Sequence, residues 1–399
     1  MFCYAVIAVL GMVFGGGMHP AWADRTKVVL WHSYRGDERK ALEKVAKAFN
    51  ASHASIELSL LAVPHDAFPD KISAAVPAGK GPDIFIFAHD RVGDWAENGV
   101  LEPVDFWVDD ALRRRFMPRT LKPLEYRRSL YALPMAFKST ALFYNKALIE
   151  KPPTTTDELI ALAKKHTDKS KKLYGLVYEN TNFYHHSAWL HGFGGAVFDA
   201  EGKPVLDSPE AAASFAFARD LRNTYRIVPE EVTSVLVTSL FNEGKAAMVI
   251  NGPWFRGELS DKLDYGVAPL PVVSATGKPA RPFMSAEGVM LNARSTHKEE
   301  AFEVMVYLTG DESAAIRMKI GKQTVANRSA YEHVSDPIIE VFRKQLDQSV
   351  PMPNTPQMLM VWSPATTALN KVVTGGVDPA KALKQAQAEI LDAIKSSRR

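Results

Sequence analysis

Residues 28–60 read VVLWHSYRGDERKALEKVAKAFNASHASIELSL, and three local patterns lie within them. Val28 to Trp31 is a short apolar run of strand type. Ala41, Leu42, Val45, Ala48 and Phe49 then recur on one face of a 3.6-residue period, and Ile56 to Leu60 is extended again. A strand, an amphipathic helix and a second strand form a β-α-β unit. The next extended run, Asp83 to Phe87, follows Gly81-Pro82 and leads into a helix expected from Asp90 to Asn98. Strand and helix alternate as in an α/β domain with a largely parallel sheet.

Further along, Tyr131 to Pro134 and Ala141 to Asn145 are two extended pieces on either side of Lys138-Ser139-Thr140, where a crossing between domains is expected. The same grammar then restarts. Pro152-Pro153 punctuates, Thr155 and Glu158 form a capping box, and Leu159, Leu162 and Ala163 supply a helical apolar face. Leu176 to Tyr178 reads as a strand, Pro209 to about Tyr225 and Ser239 to Asn242 as helices, and Ala246 to Ile250 as a strand leading into Asn251-Gly252-Pro253-Trp254. Gly288 to Leu291 is extended, and residues 298–399 are mostly helical.

The chain has 399 residues, enough for two domains. Its 48 Lys and Arg against 45 Asp and Glu leave +3 with no long like-charge block, which argues against a nucleic-acid partner. Phe2 to Phe14 is uncharged and nearly all apolar, breaks at Gly15-Gly16-Gly17, and reaches Ala21-Trp22-Ala23 before Asp24. That pattern predicts a secretory signal peptide over residues 1–23 and a soluble periplasmic product beginning near Asp24. The one cysteine, Cys3, lies ahead of the apolar segment, so no disulfide, thiolate metal site or cysteine nucleophile is expected in the body of the chain.

No phosphate loop, dinucleotide fingerprint, nucleophile elbow or zinc-protease helix is present in the sequence, and no cofactor or catalytic residue is assigned. Gly192 to Gly195 reads as a tight bend. His185, His186 and His191 do not read as a metal site, because adjacent histidines point apart and no carboxylate stands at ligand spacing. The informative pattern is aromatic residues in turn-like settings beside polar ones: Phe87 with Asp90 and Arg91, Tyr184 with Asn182 and His185, Trp254, and Trp362 after the Pro-rich 351–356. Flat rings suit the apolar faces of sugars, while Asp, Arg and Asn hydrogen-bond adjacent hydroxyls.

Gly81-Pro82-Asp83-Ile84, Ala88-His89-Asp90-Arg91, Phe241-Asn242-Glu243-Gly244-Lys245, Asn251-Gly252-Pro253-Trp254, and Met352-Pro353-Asn354 with Pro356-Gln357-Met358 together resemble the maltose/maltodextrin-binding proteins of ABC importers, in order along nearly the whole chain after residue 23. The resemblance implies a type II periplasmic binding protein fold, an α/β chain of two discontinuous lobes joined by a hinge. It implies an N-lobe of 24–137 plus about 288–325 and a C-lobe of 138–287 plus about 326–399. Crossings fall near Lys138 to Ala141, Ser285 to Gly288 and Val325 to Ser329. It also implies a monomer without catalysis that takes an oligosaccharide between its lobes and passes it to membrane permease subunits.

Residue by residue, Asp90 and Arg91 match the family's hydroxyl-binding pair, and Phe87 takes the place of a tryptophan. Tyr184, Trp254 and Trp362 match its stacking aromatics, and Met352 matches a residue near the reducing-end subsite. Lys138 and Asn182 stand where the maltose binders place glutamates, and at Ser33-Tyr34-Arg35-Gly36 an acid-and-lysine pair is replaced, in part by Tyr34 or Arg35. On this reading the cleft keeps its stacking surfaces and loses acidic acceptors, with Lys138 a cation that rewards an acidic ligand. Two rivals follow: a binder of an acidic sugar or other anion, motivated by Lys138, Arg35 and Arg91, and a secreted glycoside hydrolase, which needs two facing carboxylates.

Overall fold

The structure, a computed structural model, describes residues 25–332 and 336–397, so the leader expected over 1–23 lies outside the described residues. β1 (Thr26–His32), α1 (Gly36–Ser52) and β2 (Ile56–Ala62) form the expected unit, with β1 and β2 parallel from Thr26 opposite Ile56 to His32 opposite Ala62. Ala41, Leu42, Val45 and Phe49 are the buried face of α1, as their spacing requires. α2 (Phe68–Ala75) leads to β3 (Ile84–Ala88), parallel to β1 on its other side. A tight 3-10 turn at His89–Arg91 opens α3 (Val92–Glu97). Two short helices, α4 (Asp110–Arg114) and α5 (Pro118–Leu121), and a hairpin of β4 (Glu125–Tyr126) and β5 (Ser129–Leu130) precede β6 (Ala132–Lys138).

After Ser139-Thr140 the chain enters a second sheet. β7 (Ala141–Asn145), α6 (Thr156–Lys165), β8 (Tyr174–Val177), α7 (Phe183–Phe193), α8 (Pro209–Asn223), α9 (Ser234–Asn242), β9 (Ala246–Asn251) and β10 (Tyr265–Ala268) build a four-stranded sheet of order β10-β7-β9-β8 with its helices. Thr155 caps α6 by accepting from the Glu158 N–H, while the Glu158 carboxylate reaches Thr154, one residue further back than in a standard capping box. Gly194 ends α7 in the left-handed conformation, φ +97°, which accounts for the bend read at 192–195.

A ribbon of β11 (Val272–Val273) and β12 (Lys278–Pro279) then delivers β13 (Phe283–Leu291) back into the first sheet. Here the parallel set β2-β1-β3 expected from the sequence gains an antiparallel member. β13 runs antiparallel to β3 on one side and to β6 on the other, giving a mixed six-stranded sheet in which β14 (Val350–Pro351) also pairs with β13. A strand that arrives from another lobe is free of the crossover-helix rule that makes β-α-β neighbours parallel. β13 is buried at every position; Phe283 and Met284 pair with β14, and pairing with β6 begins at Ser285.

α10 (Lys298–Leu308) and α11 (Asp311–Lys319) return to the first lobe, with α10 against β13 and α11 against α1. α12 (Pro337–Gln348) packs on β10, and α13 (Leu359–Val373) and α14 (Pro379–Ser397) pack on α8. Phe215, Leu369 and Leu383 tie this helical layer together, whereas the largest apolar cluster joins Leu30, Phe85 and Met290 of the first lobe to Phe143, Phe241 and Phe255 of the second.

Candidate functional site

Seven of the polar and aromatic residues singled out by sequence lie at or beyond the carboxyl ends of strands in the two sheets. Tyr34 and Arg35 follow β1, Asp90 and Arg91 follow β3, Lys138 ends β6, Tyr184 lies beyond β8, and Trp254 lies beyond β9. In open α/β sheets this is where the loops diverge and a crevice forms. Here two such edges face one another.

On one side of the junction the Asp90 carboxyl is buried, within electrostatic reach of the Arg91 guanidinium and near the Trp362 indole. Burial outweighs the Arg91 charge and raises its pKa from 3.8 to about 6. The Tyr184 phenol lies close enough for burial, and secondarily the Asp90 charge, to push its ionisation well up. Its ring is 6.3 Å from that of Trp254, tilted by 51°. Trp362 packs edge-on against Phe183 and Phe283, each 6.1 Å away. Asp90, Tyr184, Trp254 and Trp362 therefore come together from opposite lobes, and Tyr184, Trp254 and Trp362 each keep some exposure.

The other expected residues have more structural surroundings. Phe87 is buried and stacks with Phe68 at 5.0 Å and His65 at 5.1 Å, so its ring belongs to the stack behind the cleft wall and His65 is the exposed member. Asn182 caps α7, its side-chain oxygen accepting from the Tyr184 N–H at 2.9 Å, and so fixes where Tyr184 begins its helix. Met352 is buried among the helices of the second lobe. Arg35 is largely exposed and reaches Glu258 across the junction at 3.5 Å.

The loss of acidic acceptors read from the sequence is overturned. Lys138 Nζ lies 3.2 Å from Glu287 and 3.5 Å from Glu38, and the Tyr34 hydroxyl donates to the other Glu287 oxygen at 2.6 Å. The ammonium is 5.3 Å from the Tyr34 ring and 5.9 Å from the Trp254 ring, which puts this cluster at the base of the cleft. Burial acts to lower the Lys138 pKa, but the two carboxylates prevail and raise it. Burial outweighs Lys138 at Glu38, whose carboxyl is raised. Glu38 and Glu287 escaped the sequence reading. The available signal was Glu287 itself, the one charged residue in the apolar run FMSAEGVML of β13.

His89 was also missed. Its Nδ1 accepts from the Ala286 N–H at 2.9 Å, which leaves the Nε2–H to donate to the Met352 carbonyl at 2.7 Å. Burial lowers its pKa to about 4, so a neutral imidazole ties the Asp90-Arg91 turn to β13 and to the 352–354 segment. The other histidines are used separately: His186 bonds Ser214, His191 bonds the Arg281 carbonyl, and burial lowers His185 to about 4. Among the described residues no group of three or more His, Cys, Asp or Glu is placed to hold a metal.

Two sheets whose strand ends face each other across a polar, aromatic crevice, with the chain passing repeatedly between them, define a two-lobed binding-protein fold. Residues 35–315 match the family described as bacterial extracellular solute-binding protein, and the chain belongs to that family. It is 32% identical to the maltotriose-binding protein of Pyrococcus abyssi over 92% of this chain and 82% of that one. It is 28% identical to the maltooligosaccharide ABC transporter solute-binding lipoprotein of Streptococcus pneumoniae, over 89% and 86% respectively. Among solved structures, the maltose/maltodextrin-binding domain of Bdellovibrio bacteriovorus bound to maltotriose superposes with a TM-score of 0.86 at 28% identity, over 93% of this chain and all of that one.

Proposed function

We propose that this chain is the substrate-binding component of an ABC importer, that it takes a maltodextrin such as maltotriose between its lobes, and that it carries out no catalysis. The observation that carries this reading is the meeting of Tyr184, Trp254 and Trp362 with the Asp90 carboxyl at the lobe junction. Aromatic rings cover the apolar faces of a glucan, while Asp90 and Arg91 address its hydroxyls. The named relatives supply the α-glucan class. The reading includes secretion to the periplasm through a cleaved signal peptide over 1–23, a monomeric state, and permease subunits as partners. The lobe division belongs to it as well, with an N-lobe of 24–137 plus about 288–325 and a C-lobe of 138–287 plus about 326–399.

Isothermal titration with maltose, maltotriose and maltotetraose tests it. One site per chain and no new reducing ends on prolonged incubation are expected. Absence of binding to every maltodextrin overturns the ligand assignment, and release of reducing ends favours the hydrolase.

A further inference from the structure

Each cation that suggested an anionic ligand has a carboxylate beside it. Arg35 reaches Glu258, and Arg91 lies within electrostatic reach of Asp90 and Asp94. Lys138 lies between Glu38 and Glu287. Beneath that group is Arg317, fully buried, with Nη1 donating to the Met135 carbonyl at 3.0 Å and to Gln323 at 3.2 Å, and within the electrostatic reach of Tyr34, Glu38 and Glu287. Two cations and two carboxylates make the base of the cleft neutral in sum.

We propose that Glu38, Lys138 and Glu287, together with Arg317, form a charge-balanced subsite that makes the cleft select uncharged oligosaccharides and reject anionic ones, with Glu287 the specificity-determining residue. The inference rests on the oligosaccharide reading above and deepens it. A ligand carboxylate that approaches the Lys138 ammonium meets Glu38 and Glu287 at the same distance scale, so attraction is cancelled and desolvation is left uncompensated. A neutral hydroxyl meets no such repulsion. Glu287 uses one oxygen for Lys138 and the other for Tyr34, yet a carboxylate offers about four acceptor sites, so each oxygen can still accept from a sugar hydroxyl. Rejection built by placing like charge against the wrong ligand is the usual physical route to such selectivity.

The test compares three ligands by isothermal titration: maltotriose, maltotrionic acid with its carboxylate at the reducing end, and maltotriose bearing a glucuronic acid at the non-reducing end. Wild-type protein is expected to prefer maltotriose over both acids by about tenfold or more, the scale of one partly screened charge contact. Glu287→Gln leaves the cluster with a net positive charge and is expected to narrow that preference by about tenfold for at least one acid. Glu38→Gln acts in the same direction, and Lys138→Met, which leaves two carboxylates facing each other, widens the preference. Circular dichroism and melting temperature report folding, and if Glu287→Gln does not fold, Glu38→Gln carries the test. Equal wild-type affinity for acid and neutral sugar, or preferences unchanged within about twofold in the folded glutamine variants, overturns the subsite. Failure of maltotriose and every neutral maltodextrin to bind wild-type protein overturns the reading on which it rests.

Discussion

Closure of the lobes can be attacked at one backbone contact. The start of α1 meets the turn after β9 so closely that a Cβ on Gly36 would lie 3.1 Å from the Gly257 carbonyl oxygen, and a Cβ on Gly257 would lie 3.4 Å from Asp37. Gly36 has φ +49°, so its replacement strains the backbone whether or not the lobes touch. Gly257 is not in that region, so there only bulk matters. Alanine at 257 fits as an ordinary contact, whereas a leucine carries a branched end that needs about 4 Å between carbon atoms onward from a Cβ already 3.4 Å from Asp37. Overpacking of this kind costs about 1–3 kcal/mol. If ligand binds the closed form, the whole cost falls on the bound state, and Gly257→Leu weakens maltotriose by about tenfold to a hundredfold with the melting temperature of the free protein unchanged. Gly257→Ala stays within about threefold of wild type. The Arg35–Glu258 pair beside this contact is too exposed to hold the lobes shut by itself. Titration calorimetry and differential scanning calorimetry read the two quantities. A leucine variant with wild-type affinity refutes the claim that this approach belongs to the ligand-bound form.

Trp254→Ala is expected to weaken the best maltodextrin by about 2 kcal/mol, the scale of an aromatic anchor, with an unchanged circular dichroism spectrum; a change within about twofold removes Trp254 from the site. Asp90 holds its proton more tightly in the folded chain, with a pKa of about 6 against 3.8, so its burial destabilises the free protein increasingly as pH rises from about 4 to 6. Asp90→Asn should therefore raise the melting temperature at pH 7, by an amount on the order of 2 kcal/mol in stability, while sugar affinity falls. In wild type, affinity should drop below pH 6 as protonation removes an acceptor, and a flat affinity profile from pH 5 to 8 refutes that role. Small-angle scattering should show a smaller radius of gyration at saturating maltotriose with constant secondary structure; an unchanged profile means the lobes do not hinge.

What the amino-acid sequence determined by itself is what depends on neighbours in the chain. The β1-α1-β2 unit follows from periodicity over residues 28–60, and the caps of α6 and α7 follow from Thr155 and from the left-handed Gly194. Asp90, Arg91 and Trp254 were legible because each sits in a short motif immediately after a strand. The tertiary structure alone decided the pairings between distant segments. A buried strand running antiparallel has the same apolar run as a parallel one, so nothing in FMSAEGVML announced that β13 lies between β3 and β6. Lys138 read as a free cation because its carboxylates come from α1 and β13, and the charge a ligand meets is set by what folding brings within a few ångströms rather than by what stands beside it in sequence.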